Sequence, residues 1–91
     1  MQTAIRSQIK DEQLAEIVVS VSAAILTKIE RKGRGVWVSP HEILGIITEE
    51  VKEFTDAVHH NNEEEQLAEL LDIAVSAIFG IASIKLKYEE S

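Results

Sequence analysis

Two acidic clusters carry the residues most able to do chemistry in this chain: Glu49-Glu50-Val51-Lys52-Glu53 and Glu69-Leu70-Leu71-Asp72. Residues three apart share a helix face, so Glu50 and Glu53 point one way from one helix, and Glu69 and Asp72 one way from the next. The second pair lies in Leu67 to Leu86, an otherwise almost wholly apolar stretch. An ionised carboxylate in such surroundings is costly unless something positive meets it. Four carboxylates turned toward one another need a hard cation among them. Oxygen-only donors, without Cys and without an obvious His partner, suit Mg²⁺, with Mn²⁺ as the second choice. The pattern implies a divalent-metal site inside a helix bundle.

The elements that must hold these groups are helices. Ile9, Leu14, Ile17, Val18, Val21, Ile25, Leu26 and Ile29 recur mostly at spacings of three and four, as an amphipathic helix requires. They place a first helix over about Ser7 to Arg31. Lys32-Gly33-Arg34-Gly35 breaks it, and Val36-Trp37-Val38 follows as a short extended linker. Ser39-Pro40-His41-Glu42 then offers an N-cap Ser, Pro at the first helical position and Glu at the third, a capping box. The second helix is expected from Pro40 to about His60, with Ile43, Ile47, Val51, Phe54 and Val58 as its apolar stripe and Glu50 and Glu53 at the border.

His59-His60-Asn61-Asn62 is a turn by composition. A third helix starts near Glu63, where Glu63-Glu64-Glu65 suits the positive end of the helix dipole and needs no other role. It is expected to reach about Tyr88 and to be apolar on nearly every side, leaving a narrow polar strip of Glu69, Asp72 and Ser76. Such a helix should be buried on nearly every side. Three helices cannot easily surround one of their own, so a second subunit should cover the rest. The expected fold is therefore all-α: a single domain over 1–91 whose three helices form an antiparallel bundle completed by oligomerisation, as a homodimer or homotetramer.

Composition narrows the function further. The formal charge of −7 argues against a nucleic-acid partner, because neutralising phosphates takes a basic surface. A phosphorylated small molecule remains compatible if metal ions offset the acids at the site. The absence of Cys removes disulfide frameworks and thiolate–zinc chemistry. Met1 to Lys10 lacks the apolar core of a signal peptide. The longest predominantly apolar run, Ile73 to Ile84, is shorter than the ~20 residues a membrane-spanning helix needs. No membrane partner and a cytoplasmic location are expected.

The run Glu49-Glu50-x-x-Glu53, fifteen intervening residues, then Glu69-x-x-Asp72 resembles the signature of the MazG-like all-α NTP pyrophosphatases. Dimeric dUTPases and phosphoribosyl-ATP pyrophosphatases belong to the same superfamily. The flanks Phe54-Thr55-Asp56-Ala57-Val58 and Leu67-Ala68-Glu69-Leu70-Leu71-Asp72-Ile73-Ala74 are similar too, so the likeness covers about Ser39 to Ile84. It implies that Glu50, Glu53, Glu69 and Asp72 bind Mg²⁺, and that Glu49 orients or deprotonates the attacking water. The implied reaction converts a nucleoside or deoxynucleoside triphosphate to the monophosphate and pyrophosphate, a house-cleaning activity on the nucleotide pool. Many members carry phosphate-contacting residues beyond the third helix. Within this sequence that role falls to Lys85, Lys87, the basic stretch Lys28 to Arg34, or another subunit. Trp37, the sole tryptophan, stands just before the metal-bearing helix, where it can stack on a nucleobase or pack the linker onto the core.

Other readings compete. Acids at three-residue spacing are common on solvated helix faces, and salt bridges to Lys28, Arg31 or Lys85 would satisfy Glu69 and Asp72. His41, His59 and His60 read as surface residues. A non-catalytic helical dimer that binds nucleotides or proteins is the alternative function. A di-iron carboxylate bundle would use Asp56-Ala57-Val58-His59, but such sites normally need two of these motifs and further Glu residues.

Overall fold

The computed structural model describes residues 5–90, with side chains through Lys87. Three helices account for the regular structure of the described residues: α1 (Asp11–Lys32), α2 (Pro40–His59) and α3 (Glu63–Glu90). Each boundary has a local cause. α1 begins at Asp11 and not at Ser7, because Lys10 is extended (φ −84°, ψ 155°) and its N–H donates to the Gln13 side chain at 2.8 Å. That closes the first turn at Lys10, with Asp11 and Glu12 at the positive end of the dipole. α1 ends where Gly33 adopts φ 83° and donates its N–H to the Ile29 carbonyl at 2.8 Å, a conformation that favours glycine.

The start of α2 follows the capping pattern with one displacement. Ser39 Oγ accepts the Glu42 N–H at 3.1 Å, while Glu42 Oε1 accepts the N–H of Val38 at 2.8 Å, one residue before the cap. The linker is thereby fastened to the first turn of α2. At the far end, the N–H groups of His60, Asn61 and Asn62 donate to the carbonyls of Asp56, Val58 and Ala57. Asn61 takes the left-handed conformation (φ 54°) that Asn tolerates better than most residues. Asn62 Oδ1 then caps α3 by accepting the Glu65 N–H at 3.1 Å. A tight turn of this kind forces α2 and α3 into an antiparallel hairpin.

The hairpin packs along its length, whereas α1 meets α3 only thinly. The fully buried residues of the hairpin are mostly small: Ala57 near the turn end of α2, and Val75, Ser76, Gly80 and Ser83 farther along α3. Gly80 sets the helix separation, since a Cβ placed there would lie 2.9 Å from Ile43 Cγ2. The face that α2 turns inward runs through Ile43, Ile46, Ile47, Glu50, Phe54 and Ala57, while Val51 and Val58 are exposed in the single chain. The expected stripe is thus rotated, and Glu50 belongs to it instead of flanking it. Gly80 contributes to this, because its missing side chain makes room for Ile43 of α2.

On α3 the polar strip is graded: Ser76 is 1% exposed, Glu69 half-buried and Asp72 exposed, while Leu67, Leu70, Ile78 and Ile81 face outward in the single chain. On α1, no residue is fully buried, and Leu14, Ile17, Val18 and Leu26 are exposed. The radius of gyration is 16.0 Å, against about 12 Å for a compact chain of this length. α3 also bears on the membrane question. Within Glu63–Lys87 an 18-residue window has mean hydropathy 1.9 and is 22% buried inside the chain. By length and composition that helix is sufficient to cross a bilayer. The expectation from Ile73–Ile84 is corrected on length, because the helix carries its apolar character past Glu69 and Asp72.

Candidate metal centre

Hairpin register brings the acids together. Glu53 and Glu69 lie eight residues on either side of Asn61, and Glu50 and Asp72 lie eleven on either side. Two helices leaving one turn with the same rise per residue carry such pairs to matching heights. The i, i+3 spacing within each pair then keeps both members on the face turned to the other helix.

One carboxylate oxygen from each of Glu50, Glu69 and Asp72 lies within 4.8 Å of the others. Glu50 and Glu69 are half-buried, and Asp72 is exposed at the rim. Glu50 Oε2 and Glu69 Oε2 are buried oxygens with no hydrogen-bond partner. Such groups are uncommon and destabilising in a folded chain. Glu53, expected among the ligands, is exposed and not one of these gathered oxygens, although its carboxyl is near enough to Glu69 to act on it. Two ionised carboxylates both accept and neither donates, so contacts of this kind need a shared proton or a cation between them.

The electrostatics agree. Glu69 is pushed up to about 7, by burial first and then by the carboxyls of Glu53, Asp72 and Glu50. Glu50 is also raised, again by burial first and then by Asp72 and Glu53, while Glu69 and the Lys28 ammonium pull it partly back. Like charges held together out of water favour protonation. A divalent ion relieves the same repulsion without protons. The donor set is all oxygen, and the exposed Asp72 leaves one side open for water or substrate, which fits Mg²⁺ or Mn²⁺. The residues present therefore fit the ion implied by the sequence.

The remaining sequence-predicted residues fall in three places. Glu49 is exposed on the α2 turn beside Glu50 and is not among the gathered oxygens. Trp37 packs on Phe79, with ring centroids 5.8 Å apart and planes inclined at 31°, and its backbone N–H donates to Ser83 Oγ at 3.0 Å. Its ring is further covered by Lys28, whose Nζ is 4.9 Å from the centroid. Lys85 and Lys87 lie about 20 Å beyond Asp72 along α3, at 1.5 Å per residue, and are exposed. Within one chain they do not approach the acids. Asp56 and His59 are both exposed and join no ligand group among the described residues, and His41 and His60 are exposed as expected.

Two residues of consequence carried weaker signals. Gly80 is the only glycine within α3, and a glycine inside an apolar helix marks a close backbone approach. Lys28 comes to the edge of the centre, where it touches both the aromatic pair and the field of Glu50. Comparison with protein-family models finds no match, and comparisons with curated proteins and with solved structures likewise find none.

Proposed function

We propose that the chain is a Mg²⁺-dependent nucleotide pyrophosphohydrolase of the MazG-like kind, cleaving a nucleoside or deoxynucleoside triphosphate to the monophosphate and pyrophosphate. The observation that carries this is the pair of buried, partnerless oxygens on Glu50 and Glu69, with an Asp72 oxygen within 4.8 Å. In this reading Glu50, Glu69 and Asp72 hold the ion, and Glu53 braces Glu69 and completes the acidic shell. When bound, Mg²⁺ neutralises phosphate charge and acidifies the attacking water. Glu49, beside Glu50 and free of the ligand set, is placed to accept the proton that water loses. The exposed carboxyl of Asp72 keeps the centre accessible to a substrate arriving from the α1 side.

A second copy of the chain completes the bundle in this reading, as a homodimer or homotetramer. Leu67, Leu70 and Ile81 of α3, with Ile17, Val18 and Leu26 of α1, supply the apolar surface that a partner would cover. The same requirement favours α3 as a bundle core over a membrane span, because Glu69 and Asp72 would sit within the apolar segment, where carboxylates are costly. A cytoplasmic location goes with this proposal.

The test is pyrophosphate release from a panel of NTPs and dNTPs with Mg²⁺. Glu50→Gln and Asp72→Asn are each expected to lower turnover by about a hundredfold or more, in line with losing charged groups that organise a catalytic metal. Release that persists unchanged in both variants sinks the assignment of the site. Nucleotide binding without turnover would favour the non-catalytic helical dimer instead.

A further inference from the structure

The metal centre opens onto a groove between α1 and α3 that encloses about 670 Å³, the scale of small-molecule sites. Its charges are divided. Glu50 and Asp72 lie in one wall, while Lys28, Arg31 and Lys32 line the α1 side. These three basic residues stand at i, i+3 and i+4, so they share one helix face. Earlier along that face the lining residues are Ser20, Ala23, Ala24 and Thr27, short side chains that leave the space unfilled. Lys28 is half-buried, with Nζ 4.9 Å from the Trp37 centroid and 5.2 Å from that of Phe79. The aromatic pair therefore holds its ammonium at the junction between acids and bases.

We infer that this groove cradles an oligophosphate chain, with Lys28, Arg31 and Lys32 holding the phosphate oxygens farthest from Glu50, Glu69 and Asp72. The inference rests on the metal-dependent reading above and deepens it. A phosphate chain carries more negative charge than one divalent ion offsets, so further cations must meet it. Arg31 supplies a planar fork that pairs two phosphate oxygens at once, and Lys28 and Lys32 supply point charges. A purely structural role is the alternative, since Arg31 and Lys32 also complement the negative end of the α1 dipole. That role predicts no ligand.

Calorimetric titration with inorganic tripolyphosphate in the presence of Mg²⁺ separates the two. The whole chain is compared with Arg31→Ala/Lys32→Ala and with the control Arg6→Ala/Lys10→Ala, which removes equal charge from exposed positions remote from the groove. The first double variant is expected to bind about ten- to a hundredfold more weakly, with affinity for Mg²⁺ alone unchanged, and the control to bind as the parent does. Trp37 provides an independent readout, because drawing Lys28 toward phosphate shifts its emission, and Lys28→Met should abolish that shift. Equal weakening in both double variants, weakening in neither, or no binding to the parent chain overturns the cradle. Arg31- and Lys32-dependent tripolyphosphate binding without pyrophosphate release from any NTP leaves the cradle standing and removes the hydrolase. Release with an unchanged KM in Arg31→Ala/Lys32→Ala does the reverse.

Discussion

The α2–α3 hairpin and α1 solve the same problem with opposite means. Both are helices with enough apolar residues to form a core. The hairpin fully buries mostly small ones, Ala57, Val75, Ser76, Gly80 and Ser83, with larger ones such as Ile43, Ile47, Phe54 and Phe79 half-buried around them. α1 carries large aliphatic residues and buries none fully. The difference teaches that full burial in this chain falls mostly at small residues of α2 and α3, and not where the aliphatic side chains are largest. The closely packed helix pair carries the gathered acids, and the thinly packed helix forms one side of the groove beside them.

The sharpest way to break this contrast is to fill Gly80. Gly80→Val drives methyl groups into Ile43, and chemical denaturation should show a loss of about 1–3 kcal/mol. Adding Ile43→Ala should return part of it, and a double-mutant cycle with no coupling would show that the contact does not set the helix separation. The next effect is pH-dependent. Glu69 is raised to about 7, so the folded metal-free chain prefers it protonated. Its contribution to stability is fully present below the unfolded carboxyl value near 4.5 and is lost as pH rises through about 7. Thermal melts without metal should therefore weaken from pH 5 to pH 8 (about three units spanning that window), and Mg²⁺ should restore the loss at the alkaline end. A melt insensitive to Mg²⁺ there counts against an ion among these carboxyls.

Smaller effects sharpen the comparison from each side. Ser39→Ala removes the cap of α2 and should cost about 1 kcal/mol in thermal or denaturant unfolding. Ile17→Ala on exposed α1 should cost within about 0.5 kcal/mol for an isolated chain. A markedly larger, concentration-dependent loss would show that a second copy covers this face.

Much of the architecture could be read from residue order. Ser39-Pro40-His41-Glu42 and the Asn61-Asn62 turn announce helix ends through local hydrogen bonds, and these depend on a few neighbours only. The convergence of Glu50, Glu69 and Asp72 was also legible, because helical spacing and a short turn leave few registers. The inward face of α2 was not. Choosing the most apolar stripe selected Val51 and Val58, whereas Ile43 packs over Gly80 on the opposite helix, a tertiary preference that no single-helix pattern contains. The start of α1 was misplaced for a related reason. Ile9 continues the apolar rhythm, but the Gln13 side chain competes for the Lys10 N–H and ends the helix there.

The turn at Asn61 does more than reverse the chain. It fixes the zero point from which both arms are counted, eight and eleven steps out to each pair of acids. One extra residue inserted there would swing every side chain of the following arm by about 100° and advance it about 1.5 Å. Facing carboxyls would slip past one another like the teeth of mismatched gears. The length of that three-residue bend, His60-Asn61-Asn62, is thus as much a part of the chemistry as the charges it aligns.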